Sequence, residues 1–336
     1  MSEFTDRIIQ RAAAQPQTIV LPEGSDPRTL GAAVRARDLG VAKIIVLADA
    51  ASVAAFEGDL TGITIVDPAH SPDNESFAQT LCELRREKNL QLADARQLVT
   101  DELYHGVMMV QTGRADGMVA GATHATRDVL RPCLQILKTA PGSSLVSAFF
   151  VIIVPDCEYG ENGTFLFADS GLVQHPDSAE LAQIALDSAQ SFQNLVGAKP
   201  VVAFLSHSTS GSAKSPSVER VQDAVRRARE LAPNLALDGE FQLDAAIVPS
   251  VAATKAPQSS VAGKANVLIF PDLDSGNIAY KLAQRLAKAE AYGPITQGLS
   301  RPVNDLSRGA SAEDILGVIA ITAVQAGARK AAQADR

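Results

Sequence analysis

Short apolar runs alternate with amphipathic stretches along most of this chain. Thr18-Ile19-Val20-Leu21, Lys43-Ile44-Ile45-Val46-Leu47, Ile63-Thr64-Ile65-Val66 and Asp116-Gly117-Met118-Val119-Ala120 are four such runs, bounded by Gly, Pro or Asp. Runs of this length and near-continuous apolarity suit strands buried on both faces. The segments between them carry helical periodicity over 5–14, 27–39, 74–88 and on to Gly113. A further helix follows Gly121-Ala122-Thr123-His124-Ala125-Thr126 and bears Arg127 and Arg131. After Pro141-Gly142 the alternation resumes. Apolar segments cover 145–155, 164–169, 201–205, 235–248 and 265–270, with Asp238-Gly239-Glu240 read as a turn. Helices are predicted over 178–195, 216–231 and about 272–289. Strands alternating with helices at this spacing predict an α/β fold built on mostly parallel, doubly wound sheets.

A chain of 336 residues suggests two domains at roughly 100–200 residues each. Pro141-Gly142 and Gly293-Pro294 read as breaks. They predict a discontinuous first domain, residues 1–141 plus 296–336, and a second over 142–295. A cleft between them is the default ligand site. The net charge of −8 and the lack of a basic run exclude nucleic acid or an acidic membrane as main partner. Cys82, Cys133 and Cys157 follow no zinc or disulfide spacing, which fits a reducing cytoplasm. The first residues lack a basic and apolar leader, so no secretory signal is expected. The most apolar run, 145–155, is too short to span a bilayer.

The candidate chemistry lies in polar segments at the predicted strand ends, where open parallel sheets bind ligands. Gly298 to Asp314 reads as a strand end, a long polar loop bearing Arg301, Ser307 and Arg308, and a helix start. Ser311 and Asp314 have the spacing of a capping box, with the shorter Asp in place of Glu or Gln. An apolar helix follows, and a helix start fed by serine and arginine suits an anion. Ser206-His207-Ser208-Thr209-Ser210-Gly211-Ser212 offers hydroxyls and amides that suit phosphate, or else forms a solvated turn. Among the five histidines, His124 and His207 sit at strand ends, and the others read as structural. No phosphate-loop, dinucleotide or nucleophile-elbow pattern is present, nor a zincin-like metal motif.

The ordered segments Leu21-Pro22-Glu23-Gly24, Glu83-Leu84-Arg85, Leu130-Arg131-Pro132, Phe167-Ala168-Asp169, Ser206 to Ala213, Asp238-Gly239-Glu240-Phe241, Gly276-Asn277-Ile278-Ala279-Tyr280-Lys281 and Asn304-Asp305-Leu306-Ser307-Arg308-Gly309 resemble the phosphotransacetylase family. The resemblance spans nearly the whole chain. It implies two α/β/α domains similar to isocitrate and isopropylmalate dehydrogenases, with an interdomain cleft, and a cytoplasmic homodimer in acetate metabolism. It implies reversible acetyl transfer between CoA and inorganic phosphate in a ternary complex, with no bound cofactor and no metal. Acetyl-CoA, CoA, phosphate and acetyl phosphate are the implied small-molecule partners. By the same resemblance Ser307, Arg308 and Asp314 are catalytic, with Asp314 the base, and Arg85, Arg131 and Cys157 lie at the CoA site. Ser208, Thr209, Gly211, Ser212, Asn277, Tyr280 and Lys281 are implied for phosphate or acetyl phosphate. Ala310 stands where many members carry Cys.

Elementary chemistry constrains these roles. A free thiol titrates near 8.5 and a free Asp near 3.9, so moving a proton from one to the other costs roughly 6 kcal/mol. Asp314 must then be raised by burial, or the thiolate must be stabilised by Arg308 and the helix start. Without the resemblance Asp314 reads as a plain helix cap. Two other activities remain compatible with the sequence: a phosphate butyryltransferase-like acyltransferase, and a non-catalytic acetyl-CoA-sensing module.

Overall fold

The structure, a computed structural model, describes residues 3–334. Among these residues the strands are β1 (Gln17–Leu21), β2 (Ala42–Leu47), β3 (Thr64–Val66), β4 (Gly117–Ala120), β5 (Ser147–Ile153), β6 (Thr164–Ala168), β7 (Val202–Leu205), β8 (Leu237–Phe241), β9 (Val267–Ile269), β10 (Glu290–Gln297) and β11 (Val303–Asp305). The chain forms two compact units, Met1–Pro141 with Leu299–Arg336, and Gly142–Gly298.

In the first unit the sheet order is β11-β4-β1-β2-β3, with every pair parallel. Helices cover both faces, as the buried apolar runs require. On one side Val20, Met118 and Val303 pack with Leu103, Val107, Met108, Val129, Cys133 and Ile136 of the helices Glu102–Gln111 and Thr126–Ile136. On the other lies the helix Ala312–Ala334, against the helices Glu3–Ala14 and Pro27–Asp38 and strands β1 and β4. By length and composition that helix could cross a membrane, but Ile315 to Val324 are buried in the unit's own core.

The second unit has the order β10-β5-β6-β9-β7-β8. Strands β6, β9, β7 and β8 run parallel, while β5 and β10 extend the sheet antiparallel. Its core is aromatic, with Phe165, Phe167, Phe241 and Phe270 buried together. A capping box between Asp177 and Glu180 starts the helix Ser178–Val196.

Three sequence expectations change. Gly293-Pro294 is not a break but lies inside β10, where the register shifts between Tyr292 and Ile295. A proline is tolerated there because β10 is an edge strand and needs no donor on its open side. Asp238-Gly239-Glu240 is not a turn but part of β8. The polar segment after Gly298 contains a buried strand, β11, whose Asn304 and Asp305 are 0% and 2% exposed. Asn304 is satisfied by Thr322 Oγ1 at 2.8 Å and Gln325 Oε1 at 2.7 Å, so polarity alone concealed the strand.

The turn after β4 depends on Gly121, which has φ of +109°. A Cβ there would strike the Asp305 carboxylate and the backbone of Leu306. Gly121→Ala is expected to destabilise the first unit by about 1–3 kcal/mol, read as a lower urea midpoint. An unchanged midpoint would show that this turn does not require glycine.

Candidate active site

The loops after β1, β4 and β11, three neighbouring strands, lie together at the carboxyl edge of the first sheet. The loop after β1 supplies Glu23, which is 1% exposed. Its carboxylate accepts from four consecutive backbone amides, Gly121 and Ala122 at 2.9 and 2.7 Å and Thr123 and His124 at 2.9 and 3.0 Å. Thr123 Oγ1 also donates at 2.9 Å, and His124 Nδ1 lies 2.9 Å away. Burial pushes this carboxyl up, but the hydrogen bonds from Thr123, His124 and Ala122 outweigh it and hold the group below its usual range. The amide nest after β4 is therefore filled by an internal anion, and His124 serves Glu23.

The loop after β11 carries Ser307 and Arg308, both exposed. Ser307 Oγ accepts from the Gly309 amide at 3.3 Å, and the Ala310 amide donates to the Ser307 carbonyl at 2.9 Å. Among the described residues no hydrogen bond or ion pair occupies the Arg308 guanidinium. Asp314 caps the following helix. Its Oδ2 accepts from the Ser311 amide and hydroxyl, both at 2.8 Å, and its own amide donates back to Ser311 Oγ at 3.2 Å. The burial that the sequence argument asked of Asp314 is not found; its side chain is exposed. Two other acids of this unit, buried Asp305 and half-buried Glu102, are shifted upward. Asp305 is pushed up to about 6 by burial; Thr126 Oγ1 donates to its Oδ2 at 2.5 Å, and its Oδ1 has no partner. Glu102 is pushed up to about 7 by burial, with His124 Nε2 at 3.6 Å.

Arg85 and Arg131 both place positive charge in the surroundings of Tyr104. Burial raises the Tyr104 hydroxyl, and the charges of Arg131 and Arg85 pull it back down. Tyr104 donates to Gln135 Oε1 at 2.9 Å and helps line a cavity of about 490 Å³ with Asp94, Gln97, Leu98, Thr100 and Asp101. Arg85 is half-buried at the end of the helix Asn74–Leu84, whereas Arg86 is exposed in the next turn. Among the described residues Arg131 pairs only with Asp128, at 3.3 Å.

In the second unit the loop after β7 is organised by Glu240, which is 2% exposed. Ser208 Oγ donates to its carboxylate at 2.7 Å, the Gly211 amide at 2.8 Å and Gln222 Nε2 at 3.0 Å. Ser208 and Gly211, implied as phosphate donors, are thus committed to an internal carboxylate. Ser212 Oγ accepts from the Thr209 amide at 3.0 Å and is exposed. On the helix Leu273–Leu286, Asn277 Nδ2 reaches the Ser170 carbonyl at 3.4 Å. Tyr280 stacks on Phe150 at 3.9 Å, and Lys281 lies over the Tyr280 ring at 5.7 Å. Cys157 is not with them. It follows β5, which ends opposite the start of β6, so it lies at the amino end of the parallel strands while Ser206–Ser212 and Asn277 lie at the carboxyl end. Among the described residues, no group of three or more His, Cys, Asp or Glu could hold a metal ion.

A profile described as "Phosphate acetyl/butaryl transferase" matches residues 3–323. The chain belongs to this family. It is 60% identical to a phosphate acetyltransferase of Acetivibrio thermocellus, over 96% of this chain and 98% of that one. It is 53% identical to a phosphate acetyltransferase of Thermoanaerobacterium thermosaccharolyticum, over 95% and 98%. A phosphotransacetylase structure from Streptococcus pyogenes superposes with a TM-score of 0.90 at 43% identity, covering 98% of this chain and all of that one. A branched-chain phosphotransacylase from Enterococcus faecalis, at 20% identity and a TM-score of 0.67, shares the fold.

For this acyltransferase, the sequence pointed to the loops but missed the buried groups that hold them. Glu23 stands inside Leu21-Pro22-Glu23-Gly24, yet nothing local marks it as buried. Asp305 sits two residues before Ser307 and read as one more polar loop residue. Glu102 gives a test of the burial. Its folded value, about 7, lies above the ordinary 4.5, so the folded state favours the protonated form. The associated stability is fully present below pH 4.5 and is lost as pH rises through about 7. Glu102→Gln should therefore match wild type at pH 5 and exceed it at pH 8 by about 1–3 kcal/mol. Urea unfolding at both pH values decides; the same difference at each would exclude a raised carboxyl.

Proposed function

We propose that this chain is a phosphate acetyltransferase that interconverts acetyl-CoA plus phosphate with acetyl phosphate plus CoA by direct attack in a ternary complex. The observation that carries this reading is the Arg308 guanidinium, unpaired beside Ser307 at the carboxyl edge of a parallel sheet. A planar guanidinium suits a phosphoryl group that stays anionic throughout the transfer. Ser307 hydrogen-bonds the oxyanion that develops on the acetyl carbonyl.

Asp314 accepts the thiol proton. Because it is exposed here and bound by Ser311, burial does not assist the transfer, and the thiolate itself has to be stabilised. The Arg308 charge and the amides at the start of the helix Ala312–Ala334 supply that field. Arg85 and Arg131 take CoA phosphates, a role supported by the weak pairing of Arg131. In the second unit Thr209, Ser212, Asn277, Tyr280 and Lys281 contact phosphate or acetyl phosphate. Ser208 and Gly211 shape that loop through Glu240.

The reading includes cytoplasmic action on soluble metabolites and a homodimer. Ile278, Leu282 and Leu286 are 58%, 51% and 78% exposed at successive turns of one helix, an apolar stripe suited to a partner.

Arg308→Gln is expected to lower kcat about 100-fold or more with the thermal midpoint unchanged, in an assay of acetyl-CoA formation from acetyl phosphate. Near-normal turnover would sink the assignment. Running acetyl-CoA and butyryl-CoA side by side tests the acyl chain; faster butyryl transfer would replace this reading with the longer-chain activity. Leu282→Asp should shift the light-scattering mass from dimer to monomer, and an unchanged mass would remove this helix from the interface.

A further inference from the structure

Arg28 lies in the first turn of the helix Pro27–Asp38, far in sequence from Ser307 and Arg308, yet it binds their loop. Its Nη1 donates to the carbonyl oxygens of Arg308 and Ala310, both at 2.8 Å. Its Nη2 donates to the Ala122 carbonyl at 3.0 Å and to Asp26 Oδ2 at 2.7 Å. Its Nε faces both Asp26 oxygens, at 3.1 and 3.2 Å. A guanidinium has five N–H groups in a fixed plane, and each of its three nitrogens is engaged here. Asp26 is itself fixed as the cap of that helix, accepting from the Arg28 amide at 2.8 Å.

The two carbonyls belong to the short segment, exposed over 307–309 and buried at Ala310, from which the Ser307 and Arg308 side chains project. Other bonds within that segment are short-range: Gly309 and Ala310 donate only to Ser307, and Ser311 to Asp314. Arg28 ties the segment to the turn after β4, which Glu23 already holds. Its charge is met by Asp26, while among the described residues the Arg308 guanidinium has no partner. We propose that Arg28, oriented by Asp26, is a positioning residue of the transfer reaction: it fixes the backbone that presents Ser307 and Arg308 without touching substrate. This rests on the function proposed above. Lysine cannot replace it, because a single ammonium cannot reach three carbonyls and a carboxylate in one plane.

The test uses the full chain with Arg28→Ala and Arg28→Lys. In Arg28→Ala, kcat for acetyl transfer falls about 100-fold, the scale of a misplaced catalytic group. KM for CoA stays within about threefold of wild type, since the CoA arginines lie elsewhere. Arg28→Lys recovers little of the loss. Guanidinium ion added far below denaturing concentrations restores part of the turnover of Arg28→Ala, which a general loss of structure would not allow. Hydrogen exchange gives a readout independent of activity: the amides of Gly309, Ala310 and Ser311 exchange faster in Arg28→Ala, with the sheet unchanged. Near-wild-type kcat, full recovery by lysine, or unchanged exchange at 309–311 would overturn the proposal. An inactive wild-type chain would overturn the functional reading instead, and the exchange data would still decide whether Arg28 holds the loop.

Discussion

A carboxylate buried at the first strand–helix turn sets the geometry on which the rest of the first unit depends. Moving an ionised carboxylate out of water costs several kcal/mol unless its oxygens are hydrogen-bonded. Glu23 meets that demand with four consecutive amides from residues 121–124. Those amides can converge only if the chain turns at Gly121, and that turn then packs against Asp305 and Leu306. The loop carrying Ser307 thereby inherits its position from a residue near the other end of the chain. Arg28 adds a second tie from the same turn. The second unit repeats the device with Glu240, which gathers Ser208, Gly211 and Gln222.

Filling amide nests with internal anions has a chemical consequence. The amides of residues 121–124 are already taken by Glu23, so a phosphorylated substrate has to be met by other groups, side-chain cations among them. Among the described residues, Arg308 has no partner and Arg131 only a weak one in Asp128. They sit on a chain of net charge −8, so attraction for an anionic substrate must be local. A rigid loop bearing a free arginine separates two tasks, with structure held by one set of charges and substrate by another. Asp314 fits this division less simply. It is exposed and serves as a cap, so its proposed part in proton transfer relies on the field around the thiolate.

Much of this was readable from the residues. Continuous apolar runs such as Lys43–Leu47 and Phe165–Phe167 identified buried strands, because a strand covered by helices on both faces needs no alternation. Ser311 and Asp314 identified a helix start, and the structure forms that box with both reciprocal bonds. The order of the segments from Leu21-Pro22-Glu23-Gly24 to Asn304-Asp305-Leu306-Ser307-Arg308-Gly309 pointed to the acyltransferase family. Local spacing encodes strand and helix period, caps and turn chemistry, and these survive into the fold unchanged.

Tertiary structure alone decided the rest. Strand β11 was invisible because Asn304 and Asp305 look like loop residues until Thr322, Gln325 and Thr126 satisfy them. Strand β10 runs through Gly293-Pro294 because it lies at an edge, a property of sheet order and not of the dipeptide. Glu23 finds its amides about a hundred residues away, and Arg28 finds its carbonyls 280 and 282 residues away. The sequence by itself determined which residues could be buried and where elements begin. Which polar groups may be buried depends on partners brought from distant segments, and those exist only once the chain has folded.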